Sequence, residues 1–179
     1  MRSSGRPQRF VELVAARWTL PVLERTRQIC ADVADGHRCE RNVLVFTDRT
    51  EHLEALRGEL SGRHSVDPAV LKGGTGKKRH AAILDELRSG GAPMLLLATG
   101  ASLGEGFDLP TLDTLFLAFP ISERSRVVQY VGRVTRALPD KTSVEVHDYH
   151  DALHPLLRRM HQRRLAALKS IGFVPIATV

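Results

Sequence analysis

Gln129, Arg133 and Arg136 recur at i, i+4 and i+7 in the run Gln129-Tyr130-Val131-Gly132-Arg133-Val134-Thr135-Arg136. On a helix they share one face. Val127, Val131 and Val134 form a second stripe, about half a revolution away at ~100° per residue. Such a helix buries valines and presents two guanidiniums and an amide. A guanidinium is planar, permanently charged and able to donate paired hydrogen bonds, which suits a γ-phosphate. Gly132 would let something pack closely at mid-helix, at a propensity cost of roughly 1 kcal/mol. The valines would equally suit a strand, but a cap at Ser122 and the two stripes favour a helix running to about Ala137. From spacing alone, a surface helix whose arginines face water fits as well.

Three other groups have chemistry-bearing residues. The run Ala98–Pro110 follows an apolar strand and holds Gly100, Gly104 and Gly106, which permit close backbone approach to a ligand. Thr99 and Ser102 offer hydroxyls to a phosphate, and Asp108 offers a carboxylate to a ribose hydroxyl. An ordinary strand-to-helix connection has the same composition. Lys72-Gly73-Gly74-Thr75-Gly76-Lys77-Lys78 approaches a Walker A loop but fails it. Leu71 stands where the first glycine belongs, and Lys78 where a magnesium-binding hydroxyl belongs. Its amides can still meet a nucleic-acid phosphate, and a solvated turn is the alternative. His150 and His154 stand at i, i+4 without an accompanying HExxH, so no metal site is expected.

The elements that position these groups alternate. A helix runs from Pro21 to near Gly36, and a strand covers Asn42–Thr47. A helix with Leu53, Leu56 and Leu60 inward ends at Ser61-Gly62. Val66–Leu71 reads as a strand that Pro68 places at a strand start or on a sheet edge. Lys77–Arg88 reads as a helix with Ala81, Leu84 and Leu87 inward. Met94–Ala98, Thr114–Phe119 and Ser143–Tyr149 read as strands, the last of these being the final strand. A final helix from Asp151 to about Ser170 would bury Leu153, Leu156, Leu157, Met160, Leu165 and Leu168. The pattern predicts an α/β domain with a mostly parallel sheet flanked by helices. Ligands of such sheets bind at the carboxyl ends of strands. Residues 1–20 are basic and unassigned; residues 21–179 form the domain.

The chain has 179 residues, 42% hydrophobic and 26% charged, which fits one globular core. A net charge of +6 favours polyanionic partners. Aromatic residues are only 5%, so backbone phosphate contacts are expected over base stacking. Cys30 and Cys39 make no CxxC pair and no zinc set, in keeping with a reduced cytosolic setting. No secretory segment follows the basic Met1–Pro7, and the apolar runs are too short to span a bilayer. A cytoplasmic protein without membrane partners is expected.

Taken together, these residues resemble the C-terminal lobe of superfamily-two helicases. Gln129–Arg136 resembles that family's motif VI, Q-x-x-G-R-x-x-R, at every fixed position. Ala98–Pro110 resembles motif V and Asn42–Arg49 motif IV, in the right order. More narrowly, Leu71–Asp151 resembles bacterial DEAD/DEAH-type helicases linked with restriction and mobile-element conflict systems. The resemblance implies a RecA-like lobe. It also implies that Arg133 and Arg136 reach ATP phosphates while Gln129 couples nucleotide state to lobe closure. By the same resemblance Gly106 and Asp108 lie near the ribose, and Thr47, Gly73, Gly74 and Thr99 touch a nucleic-acid backbone, DNA rather than RNA. The chain departs from the family in having no Walker A and no Walker B motif; Asp85-Glu86 falls within a helix. ATP and its Mg2+ ligands would therefore depend on an N-terminal lobe in cis or in trans, and the isolated lobe should not hydrolyse ATP. A non-catalytic nucleic-acid-binding module on the same fold is the alternative. A small stand-alone nucleotide-binding enzyme is disfavoured by the failed P-loop.

Overall fold

The computed structural model describes residues 9–13, 22–91, 93–104, 107–119, 124–134, 143–149 and 154–177. Their elements, in chain order, are β1 (Arg9–Leu13), α1 (Val22–Arg38), β2 (Val43–Thr47), α2 (Thr50–His64) and β3 (Ala69–Leu71). Next come α3 (Lys77–Ser89), β4 (Leu95–Thr99), a 3-10 turn at Gly100–Ser102 and β5 (Thr114–Leu117). The remainder are α4 (Arg124–Val134), β6 (Glu145–Tyr149), α5 (Pro155–Ser170) and β7 (Val174–Ala177). The described strands form a seven-stranded sheet in the order β3-β4-β2-β5-β6-β1-β7. Every neighbouring pair is parallel.

The central strands read as continuous apolar runs because helices cover both faces. On one face Leu44, Phe46, Leu96, Leu115 and Val146 pack with Ile83 and Leu84 of α3, Val127 and Val131 of α4, and Leu168 of α5. On the other face Val43, Val45, Leu97, Phe116 and Tyr149 meet Ile29 and Val33 of α1 and Leu53, Leu56 and Leu60 of α2. Neighbours along a strand thus serve opposite cores, as the two-residue strand period requires. At the amino ends of the strands Arg41 ties three elements. It donates to Thr114 Oγ1 and Ser143 Oγ, each at 2.8 Å, and pairs with Asp113 at 3.1 Å.

The α/β architecture is as expected, and several elements differ in detail. The sheet does not close at β6: β7 follows α5, and β1 lies between them, paired with both. Helix α2 passes through Ser61-Gly62 and stops only where Ser65 turns left-handed (φ 55°, ψ 34°). Gly62 faces open space, so it weakens that turn without ending it. In α3 it is Ile83 and Leu84 that are buried, while Ala81 is exposed. That rotation brings His80 inward, with Nε2 3.0 Å from the Ser102 carbonyl. In α5 the buried face is His161, Arg164, Ala167 and Leu168, and Leu156 is 54% exposed. The cause is Asp148 on β6, which draws both polar side chains inward. Ser122 and Leu153 lie outside the described residues.

Candidate functional site

Of the expected site residues that are described, Thr47 and Thr99 end β2 and β4, Gly73 and Gly74 follow β3, Asp108 precedes β5, and Gln129 and Arg133 lie on α4. Val127, Val131 and Val134 are fully buried, so α4 turns Gln129 to solvent and leaves Arg133 partly exposed. Arg133 Nη1 donates to the Phe107 carbonyl at 2.5 Å and Nη2 to the Gly104 carbonyl at 3.2 Å. Its Cζ sits over the Phe107 ring at 5.5 Å. Phe107 is itself buried, whereas Asp108 beside it is exposed. Arg136 and Gly106 lie outside the described residues. Among the described residues, a Cβ at Gly132 would meet no atom within 4 Å, and the glycine is exposed.

The hydroxyls expected to face nucleic acid are placed differently from the glycines. Thr47 is fully buried and its Oγ1 lies 3.0 Å from His52 Nδ1. Burial and the neighbouring charge of Arg25 push the His52 imidazole down to about 4, so it is neutral at physiological pH. Thr99 is 4% exposed, and its Oγ1 accepts from the Gly73 N–H at 3.0 Å. Ser102 Oγ lies 2.8 Å from the Leu71 carbonyl and 2.7 Å from that of Thr99. These hydroxyls join the turn after β3 to the turn after β4. By contrast, Gly73 and Gly74 are exposed, and Gly74 has φ +86°, a left-handed value that suits glycine. The turn opens directly into the basic first turn of α3, Lys77-Lys78-Arg79.

Several contributors are not evident from the motifs. Arg126 of α4 pairs with Asp48 beyond β2, Nη2 to Oδ1 at 3.5 Å. Gly100 backs onto this pair. A Cβ there would stand 2.9 Å from Arg126 Nη2 and 3.0 Å from both Asp48 Oδ1 and Tyr130 Oη. Tyr130 cannot retreat easily, since its ring lies against Phe46 with centroids 4.2 Å apart. Gly100 therefore permits close approach between motif-like segments. Arg88, near the end of α3, donates Nε and Nη2 to the Asp108 carbonyl at 3.2 and 3.0 Å.

Behind α4, Asp148 is 1% exposed and accepts Arg164 Nε on both oxygens, at 2.8 and 2.9 Å. His161 Nδ1 lies 3.1 Å from its Oδ2. Burial pushes this carboxyl up, but the charge of Arg164 and the His161 contact outweigh it and hold the group below its ordinary value. On the opposite face Tyr149 Oη donates to Asp32 Oδ2 at 3.0 Å. Burial raises the Tyr149 phenol well above its usual range, and raises Asp32 as well. Burial likewise lifts the Cys30 thiol to about 12, which makes it a core side chain rather than a nucleophile. Among the described residues no group of three or more His, Cys, Asp or Glu side chains could hold a metal. His154 is exposed and His150 lies outside the described residues. Asp85 and Glu86 belong to α3, as expected. No described helix is long and apolar enough to cross a membrane.

This architecture, a parallel sheet with its glycine turns and an arginine-bearing helix at the carboxyl edge, is that of a RecA-like lobe. T4 UvsW superposes with a TM-score of 0.73 at 16% identity over 96% of this chain, which spans only 41% of the T4 chain. E. coli DEAD-box protein SrmB, solved with regulator of ribonuclease activity A, gives 0.67 at 19% identity, covering 97% of this chain and 91% of the SrmB chain. Domain 2 of the DEAD-box helicase Mss116p, solved on an RNA duplex, gives 0.57 at 14% identity, covering 80% of this chain and 55% of that one. At these identities the likeness is one of fold. Comparison with curated proteins finds no match. Residues 24–138 match the Helicase conserved C-terminal domain, and the chain belongs to that family. The narrower resemblance to restriction-linked helicases has no counterpart among these matches.

Proposed function

We propose that this chain is the second lobe of an ATP-driven nucleic-acid helicase or translocase. The observation that carries the reading is α4, which buries its valines, turns Gln129 to solvent and sets a partly exposed Arg133 on the backbone just before Asp108. A guanidinium, an amide and a ribose-facing carboxylate suit the outer side of a nucleotide. They do not suit the magnesium side, for the described residues hold no carboxylate cluster and the chain has no P-loop. ATP would supply the energy; a partner lobe bearing GxxxxGK[ST] and DExx would supply the phosphate cradle and the metal ligands. Arg133 and Arg136 then neutralise charge from this side, and Asp108 with Gly106 orients the sugar. Arginine fingers are worth about a thousandfold or more in phosphoryl transfer.

Nucleic acid is held by its phosphates. Gly73 and Gly74 offer exposed backbone, and the basic start of α3 adds charge. Thr47 and Thr99 support that surface from beneath, shaping the turns through His52 and the Gly73 amide. DNA is the polymer implied by the motif resemblance, although domain 2 of Mss116p was solved on RNA. Competition between the two single strands decides it.

The test adds a first lobe in trans and measures nucleic-acid-stimulated ATPase. Stimulated hydrolysis that falls at least a hundredfold in Arg136→Ala is expected. No hydrolysis with a well-folded partner, or hydrolysis indifferent to Arg136→Ala, overturns the motor reading. A second reading, a non-catalytic binding module, is favoured by one observation: the Gly73–Lys78 turn and its supports are complete within this chain. Retention of single strands at moderate salt by the chain alone, without any ATPase on adding a first lobe, would select it.

A further inference from the structure

A guanidinium holds five N–H donors in a fixed fork. Arg133 turns that fork onto its own chain, gripping the carbonyls of Gly104 and Phe107. Its Nε–H is buried and meets no acceptor among the described residues. Buried donors rarely go unmatched, so the pose holds the backbone while leaving part of the fork unused. From the other side Arg88 grips the carbonyl of Asp108. Two helices, α3 and α4, therefore hold the backbone around Asp108 through two arginines.

Carbonyls are neutral acceptors. An ionised phosphate adds direct attraction between opposite charges, and it takes two parallel N–H bonds from a guanidinium at once. A phosphate arriving at α4 and the carbonyls of Gly104 and Phe107 must then compete for the same donors. The unmatched Nε–H favours the phosphate, since a bidentate grip can use Nε together with one Nη.

We propose that Arg133 is an exchangeable strut: in the free lobe it clamps the backbone at Gly104 and Phe107, and a phosphate that claims its guanidinium releases that backbone, with Arg88 keeping hold of Asp108. This rests on the reading of Arg133 as a phosphate-facing residue. It adds a route by which phosphate binding at α4 reaches the segment that carries Asp108. Before any ligand arrives Arg133 is a positioning residue.

The test is residue-resolved amide hydrogen exchange on the full chain, read at Gly104, Phe107 and Asp108. Arg133→Lys keeps the charge but cannot hold two carbonyls in one plane. It should speed exchange at Gly104 and Phe107 at least tenfold, with β2 and β4 unchanged. Sodium tripolyphosphate added to the wild-type chain, against sodium chloride of equal ionic strength, should speed the same amides. Arg133→Gln should already exchange fast and not respond. Exchange in Arg133→Lys within twofold of wild type overturns the strut, as does a wild-type chain indifferent to tripolyphosphate. The wild-type titration decides alone if the variants unfold. Either failure leaves the ATPase test with a supplied first lobe untouched, and failure of that test does not alter the exchange result in the free lobe.

Discussion

Replacing Asp148 with asparagine takes a charge from between Arg164 and His161 while keeping the side chain's shape. All three groups are almost completely enclosed, at 1%, 2% and 2% exposure. Arg164 loses a carboxylate that meets its Nε at 2.8 and 2.9 Å and keeps a longer bond from Nη2 to the Tyr149 carbonyl at 3.4 Å. Removing one partner of a buried pair costs about 3–5 kcal/mol, because the other charge stays buried without compensation. The amide oxygen of asparagine still accepts one bond, and Arg164 retains further contacts. The lower end, about 3 kcal/mol, is therefore expected. For a chain of this size that corresponds to a fall in Tm of roughly 6–12 °C. Urea denaturation at neutral pH measures the first quantity and calorimetry the second. The double variant Asp148→Asn with Arg164→Met should recover much of the loss, since no lone charge remains. Acid should show the same group. Its folded carboxyl lies below the ordinary 3.8, so its stabilisation is complete above about pH 4 and disappears as pH falls through the lower folded value. Asp148→Asn should flatten that acid limb. A loss under about 1 kcal/mol at neutral pH would show that the enclosed charge is not what anchors α5.

Two further perturbations test the site's framework. His52 takes up a proton near 6.5 when unfolded but only near 4 when folded, so stability should rise with pH between those values. The gap is worth up to about 3 kcal/mol, and partial exposure lowers the expected slope to about 1–2 kcal/mol across the window; His52→Asn should remove it, and an unchanged slope would assign it elsewhere. Gly100→Ala places a methyl within 3.0 Å of Asp48, Arg126 and Tyr130; with the Tyr130 ring packed against Phe46, a cost of about 1–3 kcal/mol is expected by urea denaturation, and a cost below about 0.5 kcal/mol would mean the junction yields freely.

Helix α4 was readable from sequence because one stripe of valines fixes the opposite stripe by geometry alone. The residue types at Thr47 and Thr99 were equally plain, yet their enclosure was not. Whether a hydroxyl faces a ligand or the next turn depends on which turns meet, and His52 and Gly73 lie in separate segments from their partners. Arg88 and Arg126 stand outside the motifs for the same reason: their acceptors are 20 and 78 residues away in sequence. The stripe of α5 holds at Leu165 and Leu168 but fails at Leu156, because leucines at helical spacing imply a wholly apolar face. Asp148 on β6 instead draws His161 and Arg164 inward. Strands β1 and β7 carried weak signals, Arg9 and Glu12 breaking one run and Pro175 the other.

The place of β1 has a kinetic consequence. Its two partners, β6 and β7, come from residues 145–149 and 174–177. Both neighbours therefore lie far from β1 in sequence, and neither pairing is local. Loop closure over such separations is slow, so this corner should assemble after the β2–β4–β5 centre. Until it does, both β1 edges present unpaired amides and carbonyls, a template for strands of other chains. Among the described strands, β7 in turn joins the sheet through β1. β1 and β7 are thus completed together, and a folding lobe is most exposed to misassembly in the interval before they meet.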